Sequence, residues 1–349
     1  MQLPRDVLIG NDVLQEVCTI CKQLGVGKRA VIVTGSRTRK IAGKNVLDIL
    51  SDAGYEVELI EVRGINREKI EGVKKLAVED KAEFMLGVGG GSIIDTGKIA
   101  AFEVRIPFIS VPTIASHDGI ASPRASIKNT ERGSPVSIQT DAPLAIVADI
   151  RIISSAPFRF TAAGCGDIIA NYTAIKDWQL ARRLRNSEFS SSAAALSEMT
   201  ANMMLENVKE IKKQDEKSTR TVVKALVSSG VAISIAGSSA PASGSEHKFS
   251  HALDMVAKRP ALHGEQCGLG TIMMAYLHGD GAGWQRIRDV LKEIGAPTTA
   301  KELKLKDEEI IEALTSAHKI NPRRYTLLGD SGLTSEAAEK LARVTEVID

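Results

Sequence analysis

The chain has 349 residues, enough for two domains, because single hydrophobic cores stop growing beyond roughly 250–300 residues. Its composition, 43% hydrophobic and 25% charged, is that of an ordinary globular protein. A net charge of +2 argues against a surface dedicated to nucleic acid or membrane. No apolar run approaches the ~20 residues of a transmembrane helix, and the N-terminus lacks a signal-peptide core, so we expect a cytoplasmic protein without an integral membrane segment.

Short apolar runs alternate with helical patterns in the first half of the chain. Strands are predicted at residues 29–35, 56–62, 84–88, 107–111, 125–129 and 145–148, and a typical intervening helix covers residues 38–53. Strands alternating with helices of this length predict an α/β fold with a doubly wound parallel sheet. We place this dinucleotide-binding domain at residues 1–150.

The pattern changes after Pro157. Long helical patterns cover residues 167–183, 191–213, 221–236, 262–277 and 284–294, and strand patterns are nearly absent. This half is therefore predicted to be an all-α domain at residues 151–349, which would carry the metal and the substrate.

A glycine-rich segment, Gly87-Val88-Gly89-Gly90-Gly91-Ser92, follows a predicted strand and opens a helix. Backbone N–H groups at such a helix start favour an anion, and glycines let a pyrophosphate approach closely. It is not a P-loop, because Ile99 stands where Ser or Thr would bind magnesium. The segment predicts a cofactor phosphate site; a glycine turn without a ligand is the alternative.

The residues after the next strand, 111–119, leave the sheet at its carboxyl edge, where ligands of open α/β sheets bind. Thr113, Ser116 and Ser122 could contact a cofactor there, and Asp118 could bind a substrate hydroxyl. These residue types are also common in ordinary turns, so this signal is weak by itself.

Three of the six histidines lie within seventeen residues. His247 and His251 are four residues apart and share a helix face, and His263 opens the next predicted helix. A catalytic zinc takes three protein ligands, and Asp167 could supply a carboxylate ligand that completes a site with two of these histidines. Asp167 would equally serve as the N-cap of a helix starting there, and the histidines could be surface or core residues.

Four motifs occur in this order: Gly90-Gly91-Ser92-Ile93-Ile94-Asp95, Ser116-His117-Asp118-Gly119, Gly164-Cys165-Gly166-Asp167 and Glu246-His247…Ser250-His251…His263-Gly264. Together they resemble those of the archaeal sn-glycerol-1-phosphate dehydrogenases. These belong to the superfamily of metal-dependent polyol dehydrogenases, which includes glycerol dehydrogenase and is related to 3-dehydroquinate synthase. The resemblance covers almost the whole chain and implies a dehydroquinate synthase-like architecture, with the site between the two domains.

The resemblance also implies roles for individual residues. Zinc would be held by Asp167, His247 and His263, and the substrate would face His251, Asp118 and Asp167, which are the expected catalytic residues. The residues expected to bind NAD or NADP are Gly91, Ser92, Ile93, Ile94, Asp95, Thr113, Ile114, Ala115, Ser116 and Ser122.

The activity implied is reversible hydride transfer between NAD(P) and C2 of dihydroxyacetone phosphate, giving sn-glycerol 1-phosphate for archaeal ether phospholipids. We hypothesise that His251, or a water relayed through Asp118, gives the proton to the product oxygen. Arg124, Lys128 and Arg159 are candidates for binding the phosphate, with solvated surface charge as the alternative.

The choice between the two nicotinamide cofactors stays open in the sequence. After the second predicted strand, Glu61 would favour the free ribose hydroxyl of NAD, whereas Arg63 could accept the 2′-phosphate of NADP.

The sequence leaves three rival functions open. A glycerol or other polyol dehydrogenase would run the same chemistry without the phosphate, and a dehydroquinate synthase-like lyase would regenerate its NAD in each turnover. A metal-stabilised interaction protein would show neither cofactor binding nor turnover. The resemblance also implies a homo-oligomer that acts on a small molecule.

Overall fold

The computed structural model describes residues 1–128, 135–279 and 281–349. These residues form two compact units. The first comprises Met1–Pro157 and Asp215–Ser234, and the second comprises Phe158–Gln214 and Ile235–Asp349. The assignment of a cofactor-binding domain to residues 1–150 and a metal- and substrate-binding domain to 151–349 stays a prediction.

The described residues of the first unit form a six-stranded parallel sheet in the order β1-β8-β5-β4-β2-β3. Its strands are β1 (Asp6–Gly10), β2 (Arg29–Thr34), β3 (Glu56–Glu61), β4 (Phe84–Gly89), β5 (Phe108–Pro112) and β8 (Ala145–Asp149). A separate antiparallel hairpin is made by β6 (Arg124–Lys128) and β7 (Pro135–Gln139).

The sheet is buried on both faces. On β2, Val31 and Val33 belong to one apolar cluster, whereas Ala30 and Ile32 belong to another. Successive strand side chains point to opposite faces, so each cluster covers one face of the sheet. This explains why the strands read as continuous apolar runs, and it confirms the predicted doubly wound α/β fold.

The α-helices in chain order are α1 (Val17–Leu24), α2 (Ser36–Thr38), α3 (Lys44–Asp52), α4 (Arg67–Glu79), α5 (Gly91–Val104), α6 (Ile150–Ser154), α7 (Arg159–Ile169), α8 (Asn171–Arg185), α9 (Ser191–Glu206), α10 (Val208–Ile211), α11 (Glu216–Ala236), α12 (Ser245–Val256), α13 (His263–Leu277), α14 (Gly283–Ile294), α15 (Asp307–Ser316) and α16 (Ser335–Val344). In the described part of the second unit every regular element is helical, as predicted.

Some predicted elements differ from those observed. β1 was not predicted, because its five residues are only partly buried and give no clear apolar run. The predicted strand at 125–129 is β6 of the hairpin rather than a strand of the parallel sheet, and its last residue, Asn129, lies outside the described residues.

Helix α11 is, within the described residues, the one helix long and apolar enough to cross a membrane by length and composition alone. Of its most apolar window, 61% is buried inside the protein. Ser229 donates to Asp118 Oδ2 at 2.9 Å, and Arg220 donates to the carbonyl of Ile9 at 3.1 Å, both inside the first unit. We therefore interpret α11 as an interior helix.

Candidate active site

Asp167 does not cap a helix, so the alternative to a metal-binding role is wrong. It lies inside α7, two residues before its end, and is 4% exposed. The helix begins earlier, at Arg159, and runs through the small residues 163–166. A Cβ at Gly166 would collide with the carbonyl of Gly264, so α7 and α13 pack backbone to backbone at this point. That close approach brings Asp167 next to His263.

Four side chains of the second unit converge on one point. His247 Nε2 lies 3.7 Å and His263 Nε2 3.6 Å from Asp167 Oδ1. Cys267 joins them, with its Sγ 3.5 Å from His263 Nε2. One donor atom from each of the four residues lies within 4.8 Å of the others. The set of carboxylate, imidazole and thiol donors suits zinc.

The other nitrogen of each imidazole is held by a neighbouring side chain. His247 Nδ1 is 2.9 Å from Glu246 Oε1, and His263 Nδ1 is 3.2 Å from Ser250 Oγ. Glu246 is fully buried, and its carboxylate also accepts from Thr173 Oγ1 at 2.8 Å. Metal-binding histidines usually donate their second N–H in this way. Both Nε2 atoms are thereby aimed at Asp167, so the residues present fit a divalent metal.

The electrostatics of the cluster favour a cation. Burial opposes the charged imidazoles, but Cys267 and Asp167 outweigh it, so the pKa of His247 is raised well above its usual value and that of His263 is raised to about 9. Burial also raises the pKa of the Cys267 thiol, but the charges of His247 and His263 lower it overall. The negative groups that raise these pKa values would also stabilise a divalent cation at this point.

His251 lies one helical turn after His247 on α12. Its ring is stacked against that of His263, with centroids 5.5 Å apart. Burial, together with the charges of His263, His247 and Arg324, holds the pKa of His251 well below its usual value. Its Nδ1 is buried, makes no hydrogen bond among the described residues and lies 4.0 Å from Asp254 Oδ2. A neutral imidazole beside the donor cluster is suited to bind a substrate hydroxyl.

The glycine-rich segment of the first unit ends β4 and begins α5, as predicted. Gly90 caps α5 without a side-chain hydrogen bond, and its first turn carries no acidic residue. The exposed Ser92 and half-buried Gly91 are therefore placed where an anion is favoured. A Cβ at Gly91 would collide with the ring of His117. Gly91 is thus required by this packing, in addition to any close approach of a cofactor.

The remaining residues predicted to bind the cofactor lie in two environments. Thr113 and Ala115 are buried in the loop after β5, with Ile114 and Ser116 half-buried beside them. Ile93 and Ile94 belong to an apolar cluster of the sheet, and Ser122 Oγ is buried without a hydrogen-bond partner in the described residues. Asp95 accepts from the backbone N–H of Ser126 at 3.0 Å and so anchors β6.

Asp118 is held by a buried network that includes Lys98. The Lys98 ammonium donates to the carbonyls of Gly119, Ser122 and Arg124 at 2.5, 3.0 and 2.8 Å and lies 3.6 Å from Asp95 Oδ1. Lys98 therefore fixes the loop that carries Asp118 and Ser122, and Ser229 on α11 binds the Asp118 carboxylate directly.

Of the three residues predicted to bind the phosphate, two make hydrogen bonds to other side chains, and the side chain of the third lies outside the described residues. Arg159 makes two hydrogen bonds to the Glu265 carboxylate, at 2.6 and 2.8 Å. Arg124 donates to Ser137 Oγ and Gln139 Oε1. The side chain of Lys128 lies outside the described residues.

The two residues that bear on cofactor choice are both exposed at the end of β3. Glu61 pairs with Arg39 at 2.9 Å, and Arg63 follows two residues later. The structure thus places an acidic and a basic side chain at the same strand end.

Several residues of the site were missed in the sequence. Cys267 follows His263 by four residues and therefore shares its helix face, so the spacing alone could have placed it beside the histidine. Glu246 and Ser250 stood inside the quoted motif without an assigned role. The contacts of Lys98 and Ser229 are long-range, so no local pattern could have identified them.

Comparison with known proteins supports the fold described above. A family model described as iron-containing alcohol dehydrogenase matches residues 8–157. A probable glycerol dehydrogenase from Sinorhizobium meliloti has a TM-score of 0.82 at 19% identity, covering 98% of this chain and 97% of its own. Glycerol dehydrogenase from Schizosaccharomyces pombe has a TM-score of 0.84 at 18% identity, covering 99% and 90%. At these identities the structures show the shared fold.

Two curated relatives are much more similar in sequence. The glycerol-1-phosphate dehydrogenase, NAD(P)+, of Methanosarcina acetivorans is 58% identical over 348 residues, covering 100% of this chain and 96% of the relative. The protein of the same name from Methanothermobacter thermautotrophicus is 55% identical, covering 100% and 99%. With this identity over its full length and the four motifs in place, the chain belongs to the glycerol-1-phosphate dehydrogenase family.

Proposed function

We propose that this protein uses NADH or NADPH to reduce dihydroxyacetone phosphate to sn-glycerol 1-phosphate, the backbone of archaeal ether phospholipids. Relatives that carry the corresponding name are 51–58% identical to it over its whole length. The observation that carries the proposal is the convergence of Asp167, His247 and His263 in one buried donor cluster.

Zinc is the metal proposed for this cluster, held by Asp167, His247 and His263, with Cys267 beside them. A divalent ion there supplies Lewis acidity, which makes a carbonyl carbon easier to attack by hydride. Glu246 and Ser250 fix the orientation of the two imidazoles, so the donors need little rearrangement on binding.

The cofactor is proposed to bind to the first unit. The N-terminus of α5, at Gly91 and Ser92, offers backbone N–H groups and a favourable dipole to the pyrophosphate. Thr113, Ile114, Ala115, Ser116 and Ser122 are proposed to contact the rest of the cofactor. Ile93, Ile94 and Asp95 support this loop from the core and from the hairpin.

His251 and Asp118 are proposed to handle the substrate hydroxyls and the proton. When hydride reaches C2, the carbonyl oxygen gains a negative charge that must be neutralised by a proton. His251 can carry a proton from solvent to that oxygen and then return to the neutral form that its low pKa favours. Asp118, fixed by Ser229, can order a water in the same relay.

The remaining features of the proposal rest on the family. We propose that both nicotinamide cofactors are used, since Glu61 and the basic Arg39 and Arg63 lie together at the end of β3. We also propose a cytoplasmic homo-oligomer, as the resemblance implies.

The test is oxidation of NADH and NADPH by zinc-loaded and chelator-stripped protein, with dihydroxyacetone phosphate and dihydroxyacetone in parallel. Zinc-dependent turnover that strongly prefers the phosphorylated ketone is expected. Equal or better turnover of dihydroxyacetone would assign the protein to the polyol dehydrogenases instead. Absence of cofactor oxidation with both ketones would overturn the reductase proposal.

A further inference from the structure

Helix α12 carries a buried cation beside its histidines. Lys248 is 4% exposed and follows His247 directly. At 100° per residue, Lys248 is ~60° from His251 around the helix axis, so the two side chains flank each other. Residues three apart on a helix have Cβ atoms about 5–6 Å from each other. The side chains of Lys248 and His251 therefore leave α12 at neighbouring positions on its surface.

A second cation, Arg324, is fixed to the segment that precedes α12. Its Nη1 donates to the carbonyl of Ser243 at 2.7 Å and its Nη2 to Ser239 Oγ at 2.9 Å. Its charge acts on both Lys248 and His251. Arg324 also lines a cavity of about 380 Å³, which gives a small anion access to that side chain.

The loop containing Arg324 is tied to the start of α12 by a single carboxylate. Asp177 accepts from the backbone N–H of Ser245 at 2.6 Å and from that of Leu327 at 2.7 Å. The backbone segments that carry Lys248 and Arg324 are thus tied to one another through Asp177.

The Lys248 ammonium has no hydrogen bond or ion pair with any residue of the described ranges 1–128, 135–279 and 281–349. Asp177 and Asp330 act on it only at longer range. Two like charges near one another repel, and an anion between them relieves that repulsion. The geometry calls for a dianionic group with several acceptor oxygens, such as a phosphate.

We propose that Lys248 and Arg324 bind the phosphate of the substrate, beside His251. This inference rests on the proposed function, because it assigns the phosphate of dihydroxyacetone phosphate. In that substrate only two atoms separate the reacting carbon from the phosphorus, so the phosphate must bind near the side chain that holds the reacting end. The earlier candidate Arg159 is less suitable, because Glu265 already neutralises it.

The test is steady-state kinetics of zinc-loaded Lys248→Met and Arg324→Met proteins with both ketones. The KM for dihydroxyacetone phosphate should rise about 10- to 100-fold, the loss expected for a charge-assisted hydrogen bond. The KM for dihydroxyacetone should change less than about threefold. Lys248→Arg should restore most of the binding. Lys319→Met, which removes an exposed cation that does not line this cavity, is the matched control and should behave as wild type.

Inorganic phosphate provides a second readout. It should inhibit the wild type competitively against dihydroxyacetone phosphate and inhibit Lys248→Met at least tenfold more weakly, with zinc content and circular dichroism unchanged. An unaltered KM and unaltered phosphate inhibition in both variants would overturn the inference while leaving the proposed function intact. A wild type that reduces dihydroxyacetone but not its phosphate would instead overturn the proposed function, and the phosphate assignment with it.

Discussion

Replacing Lys98 by Met should both destabilise the first unit and weaken catalysis. The ammonium donates to three backbone carbonyls in the loop from Gly119 to Arg124 and lies 3.6 Å from the buried Asp95 carboxylate. Methionine fills a similar volume but donates no hydrogen bond. It would therefore leave three carbonyls and one carboxylate in an apolar environment without their partner.

The expected magnitude follows from two opposing contributions. Removing one partner of a buried charge pair typically costs about 3–5 kcal/mol. Relief from burying the ammonium, which lowers the pKa of Lys98, offsets part of the loss of its hydrogen bonds. We expect the free energy of unfolding to fall by about 3 kcal/mol and the KM for the ketone to rise, because Asp118 loses its fixed position.

Chemical denaturation of the zinc-loaded protein, followed by steady-state kinetics, measures both effects. Lys75→Met is the control, since Lys75 pairs with Glu79 at 3.7 Å on an exposed face of α4 and should contribute less than about 1 kcal/mol. The double variant Lys98→Met/Asp95→Asn should regain part of the stability. A Lys98→Met protein as stable as the control would refute the reasoning about this buried network.

Further predictions concern the metal and the cofactor loop. Asp167→Asn should bind zinc at least tenfold more weakly in a chelator competition, because the cluster loses its carboxylate charge. Glu246→Gln should lower zinc affinity about 10- to 100-fold, the usual effect of removing a partner of a metal-binding histidine; unchanged affinity would contradict its orienting role. In the metal-free protein His263 holds a proton below its pKa of about 9, and zinc must displace it. Zinc affinity should therefore fall about tenfold per pH unit for each displaced proton as the pH decreases from 9, and a pH-independent affinity would show that no proton is released. Gly91→Ala should displace the His117 ring and raise the KM for NADH, with little change in zinc content.

The fold could be predicted from the sequence where burial is continuous. The strands buried on both faces, such as β2 and β4, are uninterrupted apolar runs, and they were found within one or two residues. The edge strand β1 is only partly buried, so its pattern carries no comparable signal. Whether a strand could be predicted therefore depended on its position in the sheet, which the local sequence does not specify.

In the site, too, relations within one helix could be predicted from the sequence, whereas contacts between residues far apart in the chain could not. The spacing of His247 and His251 fixed their relation on one helix, and Cys267 could have been added to His263 by the same rule. Asp167 was identified as a ligand candidate by its motif, but its place near the end of α7 depends on the packing of Gly166 against Gly264. The Lys98 network and the Lys248–Arg324 pair connect residues far apart in the chain, so only the folded structure brings them together.

The most direct test of the central claim is the stoichiometry and chirality of the product. Zinc-loaded protein is incubated with NADH and dihydroxyacetone phosphate, and the product is analysed with an enantiospecific enzyme assay. We predict one sn-glycerol 1-phosphate formed for each NADH consumed. Formation of the opposite enantiomer, or substrate conversion without net consumption of NADH, would contradict the account, and the latter would favour a lyase that regenerates its cofactor.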